Sequence, residues 1–167
     1  RSMTQTYTLV INGEARQVQA TADTPLIYIL RNQLGLKGTR YGCGLEQCGC
    51  CTILIDGEPA YACTRAVDSA EGREIRTVEG LSGVGSDAGS VDHPLQQAFL
   101  AEQAGQCGYC LSGVLMSAKA LLDQNPSPSR AEIVTALDGH LCRCGSHTRI
   151  IRAVERAAAA LSQEQTS

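Results

Sequence analysis

Nine cysteines gathered in two groups constrain this 167-residue chain more than any other feature. They stand at positions 43, 48, 50, 51, 63, 107, 110, 142 and 144. They make up about 5% of the residues, below the roughly 8–10% typical of small disulfide scaffolds. Their number is odd, and cysteines this close along a chain are poor disulfide partners for one another. No charged-then-apolar leader opens the sequence. Together these points predict reduced thiols that bind metal or carry redox chemistry, in a cytoplasmic setting.

The first group reads Cys43-Gly-Leu-Glu-Gln-Cys48-Gly-Cys-Cys51, a C-x₄-C-x₂-C run that Cys63 completes from beyond the next hairpin. This is the plant-type [2Fe–2S] spacing. Three thiolates on one tight loop need residues that tolerate unusual dihedrals, which Gly42, Gly44 and Gly49 supply. The exposed backbone amides of such a loop can point at sulfur and stabilise the cluster's negative charge. Zinc is the main rival, but its usual C-x₂₋₄-C pairs lie well separated. Cys50 falls inside the run and is read as a small buried apolar residue pointing away from the cluster.

The second group pairs Cys107-Gly-Tyr-Cys110 with Cys142-Arg-Cys144. A thioredoxin-like dithiol would want a βαβ context, and this segment is helical throughout. The spacing therefore suggests a metal centre between two helix pairs, with Cys110 and Cys144 just ahead of helices whose N-termini favour thiolates. On spacing alone, iron–sulfur and zinc both remain open.

The surrounding chain divides in two. Thr6–Ile11, Asn12-Gly13 and Ala15–Ala20 read as a hairpin. Thr24-Pro25 has the form of an N-cap followed by proline, opening a helix to about Asn32. Thr52–Asp56, Ala60–Ala62 and Ile75–Val78 follow as strands, giving a small α+β roll. A Gly/Ser-rich stretch over 81–94 is expected to link this domain, 3–80, to a second one at 95–162. There, apolar stripes at Leu95/Phe99/Leu100, Val114–Leu122 and Ile150–Leu161, with a Ser129-x-x-Glu132 capping box, predict a four-helix bundle. Each stripe is read simply as core.

A net charge of -3 and only six aromatics exclude a nucleic-acid surface, and no apolar run approaches the roughly 18 residues that span a bilayer. His93, His140 and His147 are scattered, without a paired nucleophile or orienting carboxylate, so no catalytic site is expected in this chain.

Over essentially its whole length the sequence resembles the small iron–sulfur subunits of the molybdenum hydroxylase (xanthine oxidase-type) family. The marks are Tyr41-Gly-Cys-Gly-x₃-Cys-Gly-x-Cys-Thr52, Gln106-Cys-Gly-Tyr-Cys110 with Gly113 and Met116, and Gly139-x-Leu-Cys-Arg-Cys144. The resemblance implies a β-grasp, plant ferredoxin-like domain carrying one [2Fe–2S] cluster on Cys43, Cys48, Cys51 and Cys63. It implies a four-helix domain carrying a second on Cys107, Cys110, Cys142 and Cys144. It further implies a separate large subunit holding molybdenum with a pterin, contacted by Gln106 and Cys144, and electron flow through both clusters. Two departures stand out: Cys50 where a small residue is usual, and Cys142-Arg-Cys-Gly-Ser-His147 where many members read Cys-Arg-Cys-Thr-Gly-Tyr. The latter resembles the branch acting on N-heterocycles such as nicotinate and isoquinoline. That branch points to a cytochrome c subunit or domain as acceptor in place of a flavin subunit. A free-standing two-cluster ferredoxin is the alternative; against it, a second centre within a helical domain makes sense mainly as a relay to a fixed cofactor.

Overall fold

The computed structural model describes residues 3–82 and 92–164. The expected linker at 81–94 therefore lies largely outside the described residues.

Alternating burial along β1 (Gln5–Ile11) and β2 (Glu14–Ala20) gives each strand one apolar face. Asn12 (φ 51°) and Gly13 (φ 82°) turn the hairpin, and Asp56 (φ 52°) with Gly57 (φ 85°) repeats that turn between β3 (Thr52–Ile55) and β4 (Glu58–Tyr61). The short β5 (Glu74–Arg76) sits between the two hairpins, parallel to β1 and antiparallel to β3. The result is one mixed sheet of order β2-β1-β5-β3-β4.

The helix expected from Thr24-Pro25 forms differently. Thr24 does not cap it; Pro25 occupies the N-cap position in extended conformation. The amides of Leu26 and Ile27 bind instead to Arg65 O (2.8 Å) and Ala62 O (2.9 Å). Those bonds satisfy the first turn of α1 (Leu26–Tyr28) and pin the segment bearing Cys63. The chain then widens into a π turn over Ile29–Gln33, where Leu34 N reaches back to Ile29 O at 3.1 Å.

Four helices follow: α2 (Pro94–Ala101), α3 (Leu111–Gln124), α4 (Arg130–Leu137) and α5 (His147–Glu164). The Ser129/Glu132 capping box forms as expected at α4. At α2 an unexpected one forms: His93 accepts from Leu95 N at 3.1 Å while the Gln96 side chain accepts from His93 N at 2.9 Å. Leu100, placed on the α2 core stripe by its spacing, is 72% exposed; Leu95, Ala98 and Phe99 make the buried face.

Two apolar cores meet at β3. Ile53 and Ile55 face the core shared with α1, whereas Leu54 faces the helical core that contains Val114, Met116, Ile133 and Val154. Because α3 packs over β3, the strand is buried on both sides, and the two domains form a single packed body across it.

Candidate metal centres

All nine cysteines are free thiols. In the first group the loop from Gly42 to Cys51 wraps its own sulfurs. Cys43 Sγ accepts from the amides of Leu45 (3.3 Å) and Gln47 (3.2 Å), and Cys48 Sγ accepts from Cys43 N (3.3 Å). These amides draw the Cys43 thiol down to about 7. Gly44 (φ 70°) and Gly49 (φ 71°) supply the left-handed backbone, while Gly42 serves through space: a Cβ there would lie 2.5 Å from Cys48 Sγ. Cys43 is exposed, whereas Cys51 and Cys63 are buried. Burial pushes Cys51 up to about 12. The side chains meet in pairs, Cys43 with Cys48 and Cys51 with Cys63.

The second group repeats that plan from two distant segments. Cys110 sits at the N-cap of α3, and Cys142 and Cys144 precede α5. The paired side chains are Cys107 with Cys144 and Cys110 with Cys142. Again one thiol, Cys107, is exposed, and another, Cys110, is buried and pushed up to about 12 by that burial. The Tyr109 amide and the Cys144 side chain lower Cys107. At Cys142 burial acts upward, but the Ser146 amide, Cys110, the Cys144 amide and the Ser146 side chain outweigh it and lower the thiol. Gln106 Nε2 donates to Cys144 O at 3.2 Å on the exposed side of this group.

Each quartet thus meets in two side-chain pairs, one holding its exposed thiol and the other a buried one. Four thiols meeting in two pairs are the donor set that would hold a [2Fe–2S] group, which would supply one-electron chemistry there. The donor set, the amides aimed at sulfur and the side-chain-free space at Gly42 fit [2Fe–2S] groups.

The two groups are fastened together. Leu141 N, beside Cys142, donates to Cys48 O at 3.1 Å. Tyr109 OH donates to Tyr41 O at 2.5 Å, and Ser112 Oγ to Cys50 O at 3.4 Å. Gly113 is needed because a Cβ would fall 1.9 Å from Gly49 O. His140, not singled out by sequence reasoning, wedges beneath Gly49, bonds Ser117 Oγ through Nε2 at 2.7 Å, and is held neutral by burial, its pKa lowered to about 4. His147 binds His140 O at 3.1 Å. Cys50 is buried as an apolar residue would be, with its thiol pushed up to about 12 by that burial, yet it lies against the Cys48 side chain. The one sequence signal for these contacts is Gly113, whose reason appears only in the packing.

Comparison with known proteins agrees with this arrangement. Residues 9–81 match the family described as a 2Fe-2S iron-sulfur cluster binding domain, and residues 77–155 match a second, described as a [2Fe-2S] binding domain. The chain is 53% identical to a nicotinate dehydrogenase subunit of Pseudomonas putida, over 93% of this chain and 96% of that one. It is 45% identical to the alpha subunit of isoquinoline 1-oxidoreductase of Brevundimonas diminuta, over 89% and 95%. Among solved structures, quinoline 2-oxidoreductase of Pseudomonas putida superposes with a TM-score of 0.87 at 38% identity, covering 96% of this chain and 97% of that chain. Aldehyde oxidoreductase of Desulfovibrio desulfuricans matches at 0.88 and 39% identity, but there the fold occupies 17% of a longer chain.

Two [2Fe–2S]-binding domains in one packed chain define an iron–sulfur electron-transfer component of an oxidoreductase. The chain belongs to the small iron–sulfur subunits of the molybdenum hydroxylase family.

Proposed function

We propose that this subunit carries single electrons between a molybdopterin centre in a large partner protein and an acceptor outside it. In this reading residues 3–80 and 95–162 form its two working domains. Cys43, Cys48, Cys51 and Cys63 hold one [2Fe–2S] cluster, and Cys107, Cys110, Cys142 and Cys144 hold the other. When bound, each cluster accepts and releases one electron at a time. The thiolates would hold the irons, the amides of Leu45, Gln47 and Cys43 stabilise charge on the first set, and burial of Cys51, Cys63 and Cys110 keeps water from one side of each quartet.

The observation that carries this reading is the graded exposure of both quartets. Each has one exposed thiol, Cys43 or Cys107, and at least one buried thiol, Cys51 and Cys63 in the first and Cys110 in the second, so each offers a face to a partner. Gln106 marks the second face: with its amide on Cys144 O, it is the group suited to meet the pterin. The Cys43 face then serves the acceptor, which we assign to a cytochrome c subunit or domain in preference to a flavin subunit. The names nicotinate dehydrogenase, isoquinoline 1-oxidoreductase and quinoline 2-oxidoreductase among the relatives support an N-heteroaromatic substrate hydroxylated in the partner, with an aldehyde as the alternative that the aldehyde oxidoreductase match keeps. Among the described residues no helix is long and apolar enough to cross a membrane. A cytoplasmic complex is our reading.

Metal and sulfide analysis of the isolated complex, with identification of the co-purifying chains, tests the proposal. It expects about four irons and about four labile sulfides per small subunit, beside a molybdenum-containing chain. Zinc in place of iron would overturn it. A fully loaded small subunit with no large partner would turn it into the free-standing carrier.

A further inference from the structure

Ser146 directly precedes α5, and its carbonyl accepts from Arg149 N and Ile150 N, both at 3.0 Å. A serine there normally caps its helix through the side chain, as Ser129 does at α4. Ser146 does not. Its Oγ is sealed from solvent, the residue is 4% exposed, and the hydroxyl makes no completed hydrogen bond. The Cys142 side chain, which pairs with that of Cys110, lies close enough to the Ser146 side chain for the two to interact. A buried hydroxyl without a partner is unfavourable, so its place here calls for an acceptor stronger than a neutral thiol. A thiolate is such an acceptor, and hydrogen bonds to a charged group are the stronger kind.

The first quartet is served differently at Cys43 and Cys48. The donors reaching Cys43 and Cys48 there are backbone amides, which any residue could supply. A side-chain hydroxyl on the second quartet is therefore a feature of this particular sequence, carried in Cys144-Gly-Ser146-His.

We propose that the Ser146 hydroxyl donates to the Cys142 thiolate and holds the reduction potential of the second cluster above the value its backbone amides alone would set. This rests on the reading of Cys107, Cys110, Cys142 and Cys144 as a [2Fe–2S] site. Reduction adds one electron to the cluster and no proton changes hands: the Ser146 O–H bond stays intact. Its hydrogen bond shortens as negative charge grows on the sulfur, which favours the reduced form. Ser146 thus acts through Cys142 as a tuning residue. It makes the second cluster the readier electron acceptor on the side where Gln106 lies.

The test is a dithionite titration of the assembled complex followed by EPR, comparing the unaltered protein with Ser146→Ala and Ser146→Gly. Both variants are expected to retain both iron–sulfur signals. The midpoint of the second cluster should move to a more negative potential while that of the first stays put. After exchange into D₂O, pulsed EPR on the second signal should show one deuteron coupling that both variants lack. An unchanged midpoint, an equal shift in both clusters, or loss of the second signal in both variants would overturn the proposal. A second signal missing from the unaltered complex would instead overturn the underlying cluster reading.

Discussion

The two cysteine quartets reach a similar arrangement by opposite routes. In the first, three thiols and the amides that serve them lie on one loop of ten residues from Gly42 to Cys51, and only Cys63 comes from elsewhere. In the second, two helix starts more than thirty residues apart in sequence each bring two thiols. The local site depends on glycine conformation; the assembled one depends on the fold bringing the segment ahead of α3 to the segment ahead of α5. The difference explains why the first is readable from spacing while the second needs the fold. It also explains why the fasteners between them, at Gly49, Gly113, His140 and Leu141, belong to neither motif.

The largest expected effects test the independence of the sites. Cys51→Ser and Cys110→Ser should each abolish one cluster and keep the other, leaving about half the iron and a single EPR signal. Loss of both signals in either variant would show that the quartets form as one unit. Cys43→Ser should leave substrate reduction of molybdenum intact while blocking electron exit, measured by stopped-flow against steady-state turnover. Normal turnover would reverse the assigned order.

A smaller effect concerns the fasteners. In Gly113→Ala the added methyl meets the Gly49 carbonyl, a backbone atom that cannot turn aside. We expect a loss of about 3 kcal/mol in thermal unfolding. The first cluster's EPR line should broaden even though the substitution lies in the helical domain. A change of only a few tenths of a kcal/mol would mean the loops separate readily.

The smallest effect is remote from both quartets. His93 caps α2 only when Nδ1 is unprotonated, and burial together with the Lys119 charge lowers its pKa from the usual 6.5. The cap is therefore fully present above that value and is lost as pH falls through the lowered folded value. Replacing it with the non-titrating cap of His93→Ser should flatten that part of the stability–pH curve, changing it by about 1 kcal/mol at most. An identical curve for the variant would show that titration of His93 does not govern the start of α2.

Much of this was legible in the sequence because it is local. Asn12-Gly13 and Asp56-Gly57 announce their turns through the left-handed backbone both pairs adopt, and Ser129/Glu132 announces α4. The Cys43–Cys51 spacing predicts its chemistry for the same reason. What escaped is non-local. The parallel pairing of β5 with β1 and the turning of Leu54 toward a second core depend on where distant segments settle. The α1 amides bind carbonyls some forty residues away, which leaves Thr24 without a capping role. Leu100 has the right spacing for the core but follows the last buried turn of a short helix. His140 carries no motif, and Ser146 stands inside a motif that gives its hydroxyl no role; burial gives both their meaning.

Both quartets, and the electron path drawn through them, stand or fall with the proposal that eight of the nine thiols hold two separate [2Fe–2S] clusters. EPR of the dithionite-reduced complex decides it. Two distinct iron–sulfur signals are expected, each integrating to about one spin per small subunit, with Cys51→Ser removing one and Cys110→Ser the other. A single signal in the unaltered complex, or signals indifferent to these substitutions, would contradict it.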